Sequence, residues 1–156
     1  DKLLGGPQAG LLLGRAELIE RLRRHPAARA MRVDKLTIAA LEATLRGPTP
    51  PVVEALECDV GQLRERAESL AERAKNLGLD ALAVTSAAAV GGGGAPGVEL
   101  PSAAVSLPVA VAERLRRGRP PIVGRVEHGR CLLDLRTVPV AADAEVVAAL
   151  AALATG

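Results

Sequence analysis

The chain has 156 residues, 49% of them apolar and none of them Phe, Tyr or Trp, with twenty basic against eighteen acidic side chains for a formal charge of +2. That apolar content is enough to bury a core, which must be built from Leu, Val, Ile and Ala. The near balance of charge does not by itself indicate nucleic-acid binding, and no apolar run approaches the roughly 18 residues of a membrane-spanning helix.

The missing aromatics also remove the platforms on which single-stranded bases stack, so any RNA contact made by such a chain rests on charge. Cys58 and Cys131 lie far apart with no CxxC motif, which suggests neither a disulfide framework nor a metal site and fits a reduced, cytoplasmic setting. No secretory signal precedes the first element. The sequence opens abruptly at Asp1 without an initiator methionine, and the expectation is a piece of a longer protein or a processed product.

Lys2-Leu3-Leu4-Gly5-Gly6-Pro7-Gln8-Ala9-Gly10, followed by Leu11-Leu12-Leu13-Gly14, reads as a glycine-rich turn feeding a short buried strand. A helix follows over 15–25, with Leu18, Ile19 and Leu22 on one face and Glu17/Arg21 and Glu20/Arg24 at favourable spacing; Pro26 stops it. Asp34 is placed to cap the next helix, which carries Ile38, Leu41 and Leu45 and ends at Gly47-Pro48. Gly47-Pro48-Thr49-Pro50-Pro51 reads as a linker, so the domains expected are 1–47 and 48–156.

Beyond it, Asp59 can cap a helix in which Val60, Leu63, Ala67, Leu70, Ala74 and Leu77 form a stripe closed by Gly78. The stripe is too short for a coiled coil and is expected to pack on a sheet. Strands are expected over 81–90 and 101–107, joined through Gly91-Gly92-Gly93-Gly94, and then a short helix over 109–117. Residues 122–137 have the period of a hairpin turning at His128-Gly129, with Val126 facing Cys131, Gly124 facing Leu133, Ile122 facing Leu135 and Glu127 opposing Arg130. A last helix over 143–153, with Val146, Val147, Leu150 and Leu153, is expected to cover the sheet. This order describes a small α+β domain with a mostly antiparallel sheet.

Few residues stand out chemically. A lysine in a glycine-rich turn is where a Schiff-base amine can be held beside a cofactor, although a lysine near a chain start is ordinarily a solvated surface group. Arg29 and Arg32, three apart, can present two guanidinium forks to a tetrahedral oxyanion. Arg114, Arg116, Arg117 and Arg119 make a second basic group, for which a solvated helix face is the ordinary reading. His25 and His128 are lone histidines with structural roles expected, and Gly91 to Gly94 match no phosphate-binding fingerprint.

The string Asp1-Lys2-Leu3-Leu4-Gly5-Gly6-Pro7-Gln8-Ala9-Gly10 closely resembles the cofactor-lysine segment of the bacterial selenocysteine synthases, the L-seryl-tRNA(Sec) selenium transferases. Ala28 to Leu36 resembles the family's next signature and Ala39 to Leu45 the helix after it. Val90 to Gly93 with Leu100-Pro101-Ser102 resembles a late glycine loop, and Ile122 to Val126 with Leu132 to Arg136 a closing hairpin. Around 46–57 the sequence departs from the family, which usually carries a longer segment with aromatics there.

The resemblance implies that residues 1–47 are the end of an α/β large domain of the aspartate-aminotransferase type, which binds pyridoxal 5'-phosphate, and that 48–156 are the small C-terminal α+β domain. Lys2 would hold the cofactor, Asp1 would tune or orient its amine, and Arg29 and Arg32 would receive selenophosphate. The reaction implied converts seryl-tRNA(Sec) to selenocysteinyl-tRNA(Sec) through an aminoacrylate, in a cytoplasmic homo-oligomer built as a ring of dimers, with the chain inactive by itself. A related pyridoxal-phosphate lyase acting on a small amino substrate, or a non-catalytic interaction module, are the alternatives.

Overall fold

The computed structural model describes residues 4–91 and 95–154. The chain divides into two compact units, Asp1–Val53 and Glu54–Gly156.

The first unit holds α1 (Ala16–Arg24), α2 (Ala27–Ala30) and α3 (Lys35–Arg46). Pro26 cannot donate an amide to a continuing helix, and α1 ends with the His25 amide on the Leu22 carbonyl. Of the two acid-base spacings on α1 the second forms, with Glu20 accepting from Arg24 at 2.8 Å and from Arg23 at 3.0 Å. Asp34 caps α3 through the Thr37 amide at 2.8 Å, satisfying one of the donors a helix start leaves open. Gly47, whose amide donates to Ala43 at 2.8 Å, closes it.

The expected strand at Leu11–Leu13 does not form. Among the described residues of this unit there is no strand, so such a segment has nothing to satisfy its amides and carbonyls. The three leucines are exposed, Leu13 by 94%, and no described side chain of this unit is fully buried.

Residues 47–50 lie outside helix and strand, and Pro51 opens a helix not anticipated, α4 (Pro51–Glu57), within which the border between the units falls. Proline suits a first helical position, where its missing amide is no loss. The second unit continues with α5 (Val60–Asn76), β1 (Leu82–Ala89), β2 (Glu99–Pro108), α6 (Val111–Arg117), β3 (Arg125–Glu127), β4 (Arg130–Asp134) and α7 (Asp143–Ala154), with single 3-10 turns at Leu135–Thr137 and Val140–Ala142. Asp59 caps α5 through the Gln62 amide at 3.0 Å, and Gly78, at φ +83°, takes the left-handed conformation that ends it.

The four strands form one sheet in the order β1-β2-β4-β3, every neighbouring pair antiparallel. This is the expected α+β layer. α5 lies across β1 and β2, as its stripe required, and its Leu63, Ala67, Leu70 and Ala74 join Ala103, Val105 and Leu107 of β2 in one core that also takes in Cys131 and Leu133 of β4. Alanines at three of α5's buried positions let the helix approach the sheet closely where bulkier side chains would hold it off.

Two expectations for the last elements change. α7 packs beside α5 and α6 instead of lying over the strands, while Val146, Leu150 and Leu153 still reach the core. The hairpin pairs Val126 with Cys131 and Glu127 with Arg130, and His128 and Gly129 both take positive φ, as a tight two-residue turn of matching twist demands. The ladder stops at Arg125, however, and Leu135 enters a 3-10 turn, so Gly124 with Leu133 and Ile122 with Leu135 are not ladder pairs. Nor do Glu127 and Arg130 form the expected ion pair. Arg130 donates to Asp80 at 2.5 Å and to the Ser106 hydroxyl at 3.0 Å, while Glu127 accepts from Arg125 at 3.0 Å.

Candidate functional site

Lys2 and Asp1 lie outside the described residues. The segment that follows them is held in place by glycine chemistry. Gly5 sits at φ +79°, and a Cβ on Gly6 would stand 2.6 Å from the Thr44 hydroxyl oxygen of α3. Thr44 is itself fixed by donating to the Ala40 carbonyl at 2.8 Å, so only glycine fits at that approach.

Arg29 lies on α2 and Arg32 just beyond its last turn. The structure brings the two together. With Val33 and Asp34 they line one open depression of about 310 Å³. Asp34 forms no ion pair with either arginine, because its carboxylate is turned to the Thr37 amide at 2.8 Å and the Thr37 hydroxyl at 3.2 Å, although its negative charge stays on the rim of the depression. The Thr37 amide, ahead of the other contributions, holds this carboxyl below its ordinary value and keeps it ionised. Among the described residues no carboxylate pairs with Arg29 or Arg32. Two guanidinium groups free of ion pairs, against one carboxylate held by Thr37, suit a small tetrahedral anion.

The second unit has polar groups that sequence reasoning passed over. Asp134 accepts from the hydroxyls of Ser102 at 2.6 Å and Ser86 at 2.8 Å and from the Arg136 amide at 3.1 Å. Arg136 is 7% exposed and donates to the carbonyls of Ala55, Cys58 and Pro101, leaving its Nε without a partner. Charged residues alternating with buried leucines in Leu133-Asp134-Leu135-Arg136 were the available signal, since a charge in such a run is kept only where it is hydrogen-bonded.

An open depression of about 640 Å³ along β1 and the hairpin is bordered by Ser86, Glu99, Arg125, Glu127 and His128. Its Arg125 is already committed to the Ala87 carbonyl, the Ser86 hydroxyl and Glu127, so it makes a poor ligand cradle. Cys131 is buried, and that burial pushes its thiol above the ordinary value, away from nucleophilic use. Among the described residues no three His, Cys, Asp or Glu side chains are grouped to hold a metal ion, and no helix is long and apolar enough to cross a membrane.

Residues 1–139 match the family model described as L-seryl-tRNA selenium transferase. Curated relatives named L-seryl-tRNA(Sec) selenium transferase agree. That of Hyphomonas neptunium is 42% identical over 153 residues, covering 88% of this chain and 33% of the relative. That of Aquifex aeolicus is 40% identical over 151 residues, with 88% and 33% covered. That of Geobacter metallireducens is 39% identical over 171 residues, with 99% and 37% covered. The chain thus spans about a third of the length of the relatives it matches.

Proposed function

The chain belongs to the L-seryl-tRNA selenium transferase family, and from that premise we propose that it supplies the cofactor lysine and the selenium-donor site of an enzyme converting seryl-tRNA(Sec) to selenocysteinyl-tRNA(Sec). The observation that carries this reading is the pair Arg29 and Arg32, which line one depression with Asp34 and form no ion pair with it or with any other described carboxylate, in the unit that contains Lys2. The chain has three lysines, and of these Lys2 alone stands in a glycine-rich turn.

Lys2 would hold pyridoxal 5'-phosphate through Nζ, with Asp1 beside it. When bound, that cofactor supplies an electron sink for negative charge at the α-carbon of the seryl group. Lys2 Nζ, once released, takes the α-proton, which requires an amine that is neutral and partly desolvated. Arg29 and Arg32 bind the oxygens of selenophosphate and orient its selenium, each fork offering paired hydrogen bonds. The fit of these residues to the cofactor rests on donor chemistry. Lys2 is the amine, and the left-handed Gly5 and the Gly6–Thr44 approach hold the segment behind it against α3.

The working assembly in this reading is a cytoplasmic homo-oligomer, a ring of dimers, with residues 1–47 closing the cofactor-binding domain and 48–156 forming the small one. The test extends the chain with the portion its relatives carry beyond it, adds pyridoxal phosphate, reduces with borohydride and maps the modified peptide. Lys2 is the residue expected to be labelled. Label on Lys35 or Lys75, or on none of the three, overturns the site.

A further inference from the structure

Val111 and Leu115, one helical turn apart, are the buried anchors of α6. That fixes its roll and sends Glu113, Arg114, Arg116 and Arg117 to solvent. Gly118 caps the helix, and the Ile122 amide donates back to the Leu115 carbonyl at 2.9 Å, folding the chain over so that Arg119 stands with Arg114 and Arg117 around one open depression. The facing wall belongs to α7 and presents Ala148, Ala149 and Ala152, with the carboxylate of Glu145 at its edge leaving the arginines in excess.

The arginines of this unit that have structural work are visibly tied. Arg66, Arg130 and Arg136 donate to backbone carbonyls and buried side chains. On α6 only Arg117 is matched, by Glu113 at 2.6 Å, and among the described residues no carboxylate pairs with Arg114, Arg116 or Arg119. Residues 113–119 therefore carry four arginines and one glutamate, on a surface that neither the cofactor lysine nor the Arg29/Arg32 pair requires.

From this we propose that Arg114, Arg116 and Arg119 form a contact surface for the sugar-phosphate backbone of a double-helical arm of the tRNA substrate, an inference that rests on the reading of the chain as a seryl-tRNA selenium transferase. Guanidinium forks match phosphate oxygens in pairs. A wall made mostly of alanines, with Glu145 and Leu153, offers little for the large anchoring side chains on which protein partners depend. With no aromatic residue in the chain, unpaired bases have nothing to stack on, which leaves the duplex backbone as the part of an RNA that charge alone can hold.

The test measures binding of fluorescein-labelled tRNA(Sec) transcript to the chain by anisotropy over a series of salt concentrations. The wild-type chain binds, and its log affinity falls linearly with log salt. In the triple variant R114A/R116A/R119A the slope is expected to fall by nearly three, about 0.9 for each lost contact to a duplex. The R114K/R116K/R119K variant, which keeps the charge, retains the slope, as does R64A/R73A/K75A on α5. Should the alanine variant lose its helical circular dichroism, R114Q/R116Q/R119Q takes its place.

Absence of wild-type binding, an unchanged slope in the triple variant, an equal loss in the α5 control, or displacement by polyglutamate at the same charge concentration as by unlabelled tRNA would each overturn the surface. None of these outcomes touches the Lys2 labelling. Conversely, failure of that labelling with an arginine-dependent slope would sink the enzyme reading and leave the surface standing.

Discussion

Arg66 of α5 and Asp143, the first residue of α7, are joined at two points, Nη2 to Oδ1 at 2.6 Å and Nε to Oδ2 at 3.1 Å. The same guanidinium donates to the carbonyls of Val138 at 3.0 Å and Leu135 at 3.4 Å, so one side chain ties α5 to the turn after β4 and to the start of α7. The side chains of the pair are 15% and 23% exposed, which lowers their Coulomb energy below that of a fully enclosed pair. Arg66→Met is expected to destabilise the unit by about 2–3 kcal/mol, because it leaves a carboxylate and two carbonyls without their donor. Urea denaturation followed by circular dichroism measures this, and a double-mutant cycle with Asp143→Asn should return a coupling of at least about 1 kcal/mol.

Gly124 is the second test of packing. A Cβ there would stand 2.5 Å from the Cys131 sulfur and 3.0 Å from Leu133 Cδ2, both in the core. Gly124→Ala is expected to cost about 1–3 kcal/mol, the usual penalty for forcing an extra carbon into a filled interior. The same substitution at Gly10, where a Cβ meets nothing within 4 Å, is the control and should leave the urea midpoint unchanged.

These two sites show where the sequence was readable and where it was not. Periodicity and caps are local, and they located α1, α3, α5, α7 and all four strands, with Asp34 and Asp59 as caps and His128-Gly129 as the turn. Leu11–Leu13 misled because an apolar triplet reports hydrophobicity without saying whether a neighbouring strand exists to receive it. Glu127 with Arg130 misled because register sets which residues face each other while the reach of a long side chain decides what it bonds. Arg66–Asp143 and the Arg136 contacts to Ala55 and Cys58 join residues about eighty positions apart, and no spacing rule reaches that far. In the candidate site, the proximity of Arg29 and Arg32 was legible from their spacing, whereas the availability of both depended on Asp34 facing Thr37.

Asp34 gives a pH prediction. Its carboxyl is held below the ordinary value of 3.8, chiefly by the Thr37 amide, so the charged form is the one folding favours. A lowered folded value means that the cap contributes fully above pH 3.8 and is lost as pH falls through the depressed value. Amide exchange at Thr37 should therefore be pH-insensitive, after correction for intrinsic chemistry, from neutral down to about pH 4, and should accelerate below it. Asp34→Ala should show the accelerated rate at every pH.

Arg29 and Arg32 separate donor binding from cofactor attachment. In a protein complete enough to turn over, Arg29→Ala is expected to lower selenium incorporation by roughly 10- to 100-fold, the range for losing charged hydrogen bonds to an anion, and Arg32→Ala likewise. Borohydride labelling of Lys2 should be unchanged in both. A parallel loss of labelling would mean that the arginines hold the glycine-rich segment instead of the selenium donor.

The alanine seam where α5 meets the strands has a thermodynamic consequence. Alanine has no rotamers to set loose, so expanding that layer gains little side-chain entropy while forfeiting contact at once. A swollen, dye-binding state with its helices intact should therefore be sparsely populated on heating or at low pH, and the helix–sheet layer should come apart in one cooperative step.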